Sequence, residues 1–315
     1  MSTTMVLYLS AATALAGCAS RAVAPRPVDA GYQGYVNTAR NAFKQGNLQQ
    51  ASTFYDRSLM RARTIDHPAA IADAAYNLSI CLMALGELER AAALLDEAEA
   101  ELTRDKSSFA HVLIAQSQLA RRRQDYDAVG TITDRLLSRS AAETSGIQRF
   151  QAFVIRSHVA CDRQRLAQAS AELQSAKAIA GSLNDDALLA EAAGLEARIE
   201  SLSGRPATAA EYYLKQAALL QRARLYFEMS TAQEQAGQSF KRAGQHGNAA
   251  TLFFRSARSF LGQGQHERAA KILTDAATSA NADGNAEWLH RIEALQVELK
   301  ALRQNQPSPS GTPER

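Results

Sequence analysis

Proline is scarce in this chain, and its placement excludes more than its number does. Of seven prolines in 315 residues, five lie near the ends, at Pro25, Pro27, Pro307, Pro309 and Pro313. Only Pro68 and Pro206 fall in the body. Each sits where a helix is expected to start, the one helical position that tolerates a missing N–H. Aromatics make up 6% of the chain, while Ala, Leu, Gln, Arg and Glu dominate. Such a composition reads as nearly all helix. Cysteine is equally sparse, at three. Cys81 and Cys161 are eighty residues apart in apolar helical context, so they are not expected within the ~7 Å a disulfide needs. Buried free thiols are the expectation. The apolar run Met5–Gly17 is thirteen residues long, whereas a membrane-spanning helix needs about 20.

Charge of one sign is also missing as a block. The net charge of +3 comes from interleaved Arg and Glu. The one basic run, Arg121-Arg122-Arg123, falls at an expected helix C-terminus, where cations complement the dipole. Basic runs with interleaved aromatics are absent, which argues against a nucleic-acid stripe. Six histidines show no metal-ligand spacing. His266-Glu267 opens like a zinc-protease motif, but position 270 is Ala, so the second ligand is lacking. Gly262-Gln263-Gly264 lacks the third glycine and preceding strand of a dinucleotide loop. Asp185-Asp186 suits a helix start. There is no P-loop and no Gly-x-Ser-x-Gly. These observations point to no enzyme, no metal and no cofactor.

What the chain does contain is a repeat. Gly46, Ala51, Tyr55 and Ser58 return forty residues later as Gly86, Ala91, Leu95 and Ala98. The frame recurs at Gly204, Ala209, Tyr213 and Ala217, and again at Gly244, Ala249, Phe253 and Ser256. Between them Ala128 with Ile132, and Ala169 with Leu173, keep the beat, with Arg123 and Gln164 in the glycine's place. Gly284 closes the series, and Gly264 with Ala269 marks a half-period. A glycine can leave a helix at positive φ. The small residue five positions on lets the next helix approach closely, and the later apolar positions share its face. Each unit is a helix hairpin that must bury its face on its neighbours. Seven hairpins are expected, at about 32–65, 68–104, 107–139, 144–181, 185–222, 224–262 and 266–303.

This frame resembles the tetratricopeptide repeat. The resemblance covers about 32–303 and implies an all-α, right-handed helical-repeat solenoid, although the period is about forty rather than 34 and the closing proline is missing. It also implies that the first helix of each hairpin lines a concave groove for protein or peptide partners. The frame places Arg40, Lys44, Tyr76, His158, Arg198, Gln238 and Lys241 there as candidate groove residues. Arg40, Lys44, Arg198 and Lys241 together tilt that groove toward partners with acidic segments.

The amino terminus carries a second resemblance. Leu15-Ala16-Gly17-Cys18 follows the apolar run and is similar to the lipobox of a bacterial lipoprotein signal peptide. It implies cleavage after residue 17, lipidation of Cys18, a tether over 18–31, and anchoring in the cell envelope. Ala19 resembles the second residue of lipoproteins sent to the outer membrane, facing the periplasm. Residues 1–17 contain no Lys or Arg, whereas signal peptides normally open with a positive region. A cytoplasmic repeat protein with an apolar amino terminus is the alternative. Residues 304–315, rich in Pro and Ser, are expected to form a disordered tail.

Overall fold

The computed structural model describes residues 29–304. Among these residues there are fourteen helices and no strand, paired into seven hairpins. They are α1 (Ala30–Lys44) with α2 (Leu48–Thr64), α3 (Pro68–Leu85) with α4 (Leu88–Arg104), and α5 (Ala110–Arg122) with α6 (Tyr126–Leu137). Next come α7 (Gly146–Asp162) with α8 (Leu166–Leu183), and α9 (Asp186–Leu202) with α10 (Pro206–Arg222). The last two pairs are α11 (Tyr226–Arg242) with α12 (His246–Gly262), and α13 (His266–Asp283) with α14 (Ala286–Gln304). This is the expected all-α helical-repeat solenoid.

Local chemistry accounts for the helix ends. Pro68 and Pro206 open α3 and α10. Asp29, Asn47, Asp125 and Asp185 each accept a first-turn backbone N–H. Ser145 and Gln148 form a reciprocal capping box at α7, which satisfies two donors that the helix itself cannot. The Asp29 cap puts the start of α1 at Ala30, two residues earlier than expected.

The turns show a finer period than forty. Left-handed residues stand at 46, 66, 86 and 106, and again at 164, 184, 204, 224, 244, 264 and 284. One occurs about every twenty residues, at each junction between or within hairpins except that between α6 and α7. The third hairpin breaks the spacing. Its left-handed residue is Gln124, with φ +60°, while Arg123 has φ −77° and caps α5. The frame there shifts by one, so Val129 and Thr133 are buried in place of Ala128 and Ile132. The short helices α5 and α6 are followed by the longer connection 138–145, after which the spacing resumes. In the fourth hairpin Gln164 takes the glycine's role as expected.

The core is built from small residues where helices cross and large ones between. Ala51, Ala91, Ala169, Ala209, Ala249 and Ala269 are fully buried. Around them Phe150, Phe253, Phe260, Leu95 and Leu173 fill the interior. The apolar helix α3 is the one described helix long and apolar enough to cross a membrane, yet 56% of it is buried within the solenoid. Cys81 and Cys161 are buried free thiols, and burial pushes the Cys81 thiol up to about 12. Neighbouring helices pack antiparallel. In the middle of the stack the first helices also touch one another, α3 with α5, α5 with α7 and α7 with α9.

Candidate functional site

Side-chain contacts join the first helices from α1 through α9, and again α11 with α13, and define one face of the molecule. The Tyr32 hydroxyl on α1 donates to the Asp73 carboxylate on α3, at 3.0 Å. Tyr76 on α3 meets His111 on α5 edge to face, with ring centroids 4.9 Å apart. On α5, Arg121 donates through Nε to Asp162 of α7 at 2.8 Å. Asp162 also receives Arg198 of α9 at 2.6 Å. Toward the far end, Lys241 on α11 pairs with Asp275 on α13 at 3.1 Å. Arg268 on α13 pairs with Glu234 on α11 at 2.8 Å and lies over the Phe260 ring at 4.2 Å.

The most developed cluster is Arg121, His158, Asp162 and Arg198. Arg198 stands 2.7 Å from His158 Nδ1. A guanidinium only donates, so Nδ1 accepts and the ring proton belongs on Nε2. Burial, reinforced by the Arg121 and Arg198 charges, pushes His158 down to about 3. Burial by itself would raise Asp162, but hydrogen bonds from Arg121 and Arg198 hold it below the usual carboxylate range. The cluster holds a neutral imidazole and a paired carboxylate. It has no free base and no nucleophile, and its chemistry is to lock three helices in register.

The other candidates are distributed along the same face. Arg40 is exposed on α1 and lines a cleft of about 230 Å³ together with Tyr32, His67 and Asp73. Lys44 is exposed at the last turn of α1. Tyr76 is half-buried against His111. Gln238 is exposed, 3.5 Å from Glu234. The expected tilt toward acidic partners loses part of its basis here, because Arg198 and Lys241 are already paired with Asp162 and Asp275. Only Arg40 and Lys44, both on α1, keep exposed positive charge from that set. Leu15, Ala16, Gly17 and Cys18 lie outside the described residues.

Sequence reasoning missed Arg121, Asp162, His111, Asp73 and Glu234. Arg121 was legible only as one of three cations ending a helix. The usable signal is an opposite charge one repeat on, Arg121 to Asp162 and Asp162 to Arg198. The Arg triplet faces the protein: Arg122 donates to the Met83 carbonyl and Arg123 to that of Leu88. Between α6 and the α7–α8 hairpin lies a cleft of about 350 Å³. Four of its charges pair internally, Arg156 with Asp134 at 2.9 Å and Arg163 with Asp127 at 3.6 Å. Among the described residues no group of three or more His, Cys, Asp or Glu side chains is placed to hold a metal ion.

This architecture defines a class, a tetratricopeptide-like solenoid. No protein-family model and no curated protein matches the chain. Solved structures do. A STAND protein (Signal Transduction ATPase with Numerous Domains) with a tetratricopeptide repeat sensor, from Pyrococcus horikoshii, superposes with a TM-score of 0.61 at 14% identity. That match covers 88% of this chain and 42% of the other, so the chain spans less than half of that protein's length. NprR, solved in complex with its cognate peptide NprX, superposes with a TM-score of 0.54 at 13% identity, over 88% of this chain and 83% of NprR. At such identities the likeness is one of fold.

Proposed function

We propose that this chain is a non-catalytic scaffold whose first-helix face binds a protein or peptide partner. The observation that carries the reading is the register of that face. Residues about forty apart stand side by side on successive helices, as His158 and Arg198 do at 2.7 Å. A partner laid across the stack therefore meets a regular grid of side chains. Many of these are exposed and polar, including Gln33, Arg40, Lys44, Gln238, Lys271 and Thr278. Repeat arrays use such extended surfaces for recognition, and NprR, of similar fold, was solved with a peptide bound. The charged end of the face, Arg40 with Lys44, suits an acidic segment of the partner. Capture from solubilised cell envelope tests this. Reversal of both residues to Glu is expected to abolish or strongly reduce capture, and unchanged capture overturns the acidic-segment assignment.

The same proposal places the scaffold at the periplasmic face of the outer membrane, held by lipidated Cys18. Two or three acyl chains anchor stably where one is marginal. The support is the Leu15-Ala16-Gly17-Cys18 pattern itself. Metabolic labelling with palmitate decides between this and a cytoplasmic adaptor. Label is expected on the wild type and lost in Cys18→Ser. A wild type that never labels, or a variant that still does, contradicts anchoring.

A further inference from the structure

Most charge on the first-helix face is paired from helix to helix, but one cleft holds charge of both signs that is not. The cleft of about 230 Å³ between α1 and α3 is lined by one guanidinium, Arg40, and one carboxylate, Asp73. Neither forms an ion pair, with the other or with any other described residue. Asp73 is half-buried, and its oxygens accept from the Tyr32 hydroxyl and from Nδ2 of Asn77, both at 3.0 Å. These neutral donors hold the carboxylate in place without cancelling its charge. Tyr76 and His111 also feel that charge, and burial pushes the His111 ring toward its neutral form. Arg40 is exposed and lies within reach of the Tyr32 and Tyr55 hydroxyls, again neutral groups. Val36, Ala69 and Ala70 supply the apolar part of the lining.

Along α1 the cleft follows Tyr32, Val36 and Arg40, which are spaced by four and share one side of the helix. From Tyr32, which touches Asp73, the helix rises about 12 Å to Arg40. An arginine side chain leans back toward the helix amino terminus, which brings its guanidinium nearer to Asp73. An extended chain advances about 3.3 Å per residue. The two charges therefore match an ammonium and a carboxylate carried about two residues apart. A simple anion would face Asp73 and a simple cation would face Arg40, whereas a group with both signs meets neither conflict. The cleft is smaller than the ~300 Å³ at which sites begin to enclose whole ligands, so it suits the end of something larger. An α-ammonium brings three N–H donors to Asp73. It does so without immobilising the four-carbon stem of a lysine.

We propose that the α1–α3 cleft holds the free amino terminus of the partner, with its α-ammonium on Asp73 and a carboxylate side chain from its second or third residue on Arg40. The reading rests on the first-helix face being the binding surface. The partner's first side chain lies along Val36, Ala69 and Ala70, and a further acidic residue reaches Lys44, one turn beyond Arg40 on α1. The cleft thereby sets the direction in which the partner enters the face, with its ammonium toward the start of α1.

The test titrates the full chain by calorimetry with the α-amide of the tripeptide alanyl-alanyl-aspartic acid. Its Nα-acetyl form removes the ammonium, and the alanyl-alanyl-asparagine amide removes the carboxylate. The α-amide of Nα-acetyl-lysyl-alanyl-aspartic acid moves the cation to a side chain, and free aspartate is the amino-acid arm. The first tripeptide is expected to bind, and loss of either charge is expected to weaken it on the order of tenfold, equivalent to one charge contact. Asp73→Asn is expected to cost the free tripeptide about tenfold and the acetylated form nothing. Arg40→Gln is expected to weaken the aspartyl probe by about as much and to leave the asparaginyl probe unchanged. Arg40 is exposed, so its variant reads the site even if Asp73→Asn disturbs the Tyr32 contact. No binding, equal binding of the acetylated tripeptide, or no effect of either variant overturns the subsite. Tighter binding of the lysyl probe or of free aspartate overturns its assignment to an amino terminus. Partner capture separates the two claims. If Arg40→Glu with Lys44→Glu loses capture while no probe binds, the face stands and the subsite falls. If the tripeptide binds at Asp73 but capture ignores both Asp73→Asn and the charge reversal, the face falls, and the assignment to the partner falls with it.

Discussion

Two half-buried groups on the first-helix face titrate in opposite senses, and each leaves a distinct mark on stability. Glu191 has its carboxyl raised from 4.5 to about 7 by burial, so the fold prefers it neutral. The sign follows from linkage: its contribution is fully present below pH 4.5 and is lost as pH rises through about 7. The full shift corresponds to about 3 kcal/mol at most. Urea unfolding at pH 5 and pH 7.5 is expected to show wild type losing stability relative to Glu191→Gln as pH rises. A constant difference contradicts the burial of that carboxyl. His158 works the other way. Its pKa lies near 3 instead of 6.5, so its contribution is present above pH 6.5 and is lost as pH falls toward 3. Between those values wild type is expected to lose up to about 1.4 kcal/mol per pH unit relative to His158→Gln.

Residues of this kind divide sharply in how far the sequence reveals them. His158 and Arg198 fall on one face because a forty-residue period maps directly onto neighbouring helices. Their contact therefore follows from counting. Glu191 does not reveal itself, because a Glu on an amphipathic helix reads as a solvated position.

At the scale of the element, the turns carry the expectation best and also mark its failure. Glycine at positive φ recurs where counting places it, but the third hairpin uses Gln124 and not Arg123. The turn comes two residues early, and every later left-handed residue from 164 onward keeps that offset, a slip invisible in the residue types alone. The left-handed conformation costs a side-chain-bearing residue roughly 1 kcal/mol. Gln124→Gly and Gln164→Gly are therefore expected to stabilise by up to about 1 kcal/mol. Arg123→Gly, at φ −77°, is expected to destabilise by about the same amount. Thermal midpoints of the three variants check the turn assignment.

Helix glycines give a second contrast. Alanine at Gly237 would place its Cβ 3.0 Å from the fully buried Phe253 ring. Overpacking of this kind typically costs 1–3 kcal/mol, about enough to outweigh the helix-propensity gain of ~1 kcal/mol. Alanine at Gly194 meets only the end of the flexible Gln216 side chain. Gly194→Ala is therefore expected to be neutral or stabilising, and Gly237→Ala destabilising, in the same chemical-denaturation experiment.

For the whole molecule, seven hairpins stacked through small-residue contacts leave the first helices free to present one long, mainly polar face. Its charges are largely consumed in joining one hairpin to the next, with Arg121, Asp162 and Arg198 at the centre. What remains available is exposed positive charge at Arg40, Lys44 and Lys271 and the carboxyls of Asp73 and Glu191, which form no ion pair. The architecture was legible because a helical repeat writes its period into the chain. Partner chemistry was less so, since the pairing of Arg198 and Lys241 depends on residues one repeat away. The central claim is that this face, and not the second helices, engages the partner. A photo-reactive residue placed singly at Arg40, Gln238 or Thr278, and at Met60 or Thr131 on second helices, tests it in cells. All five positions are exposed. The account predicts crosslinks to a common partner from the first three positions and not from the last two. Crosslinks arising chiefly from Met60 and Thr131 would contradict it.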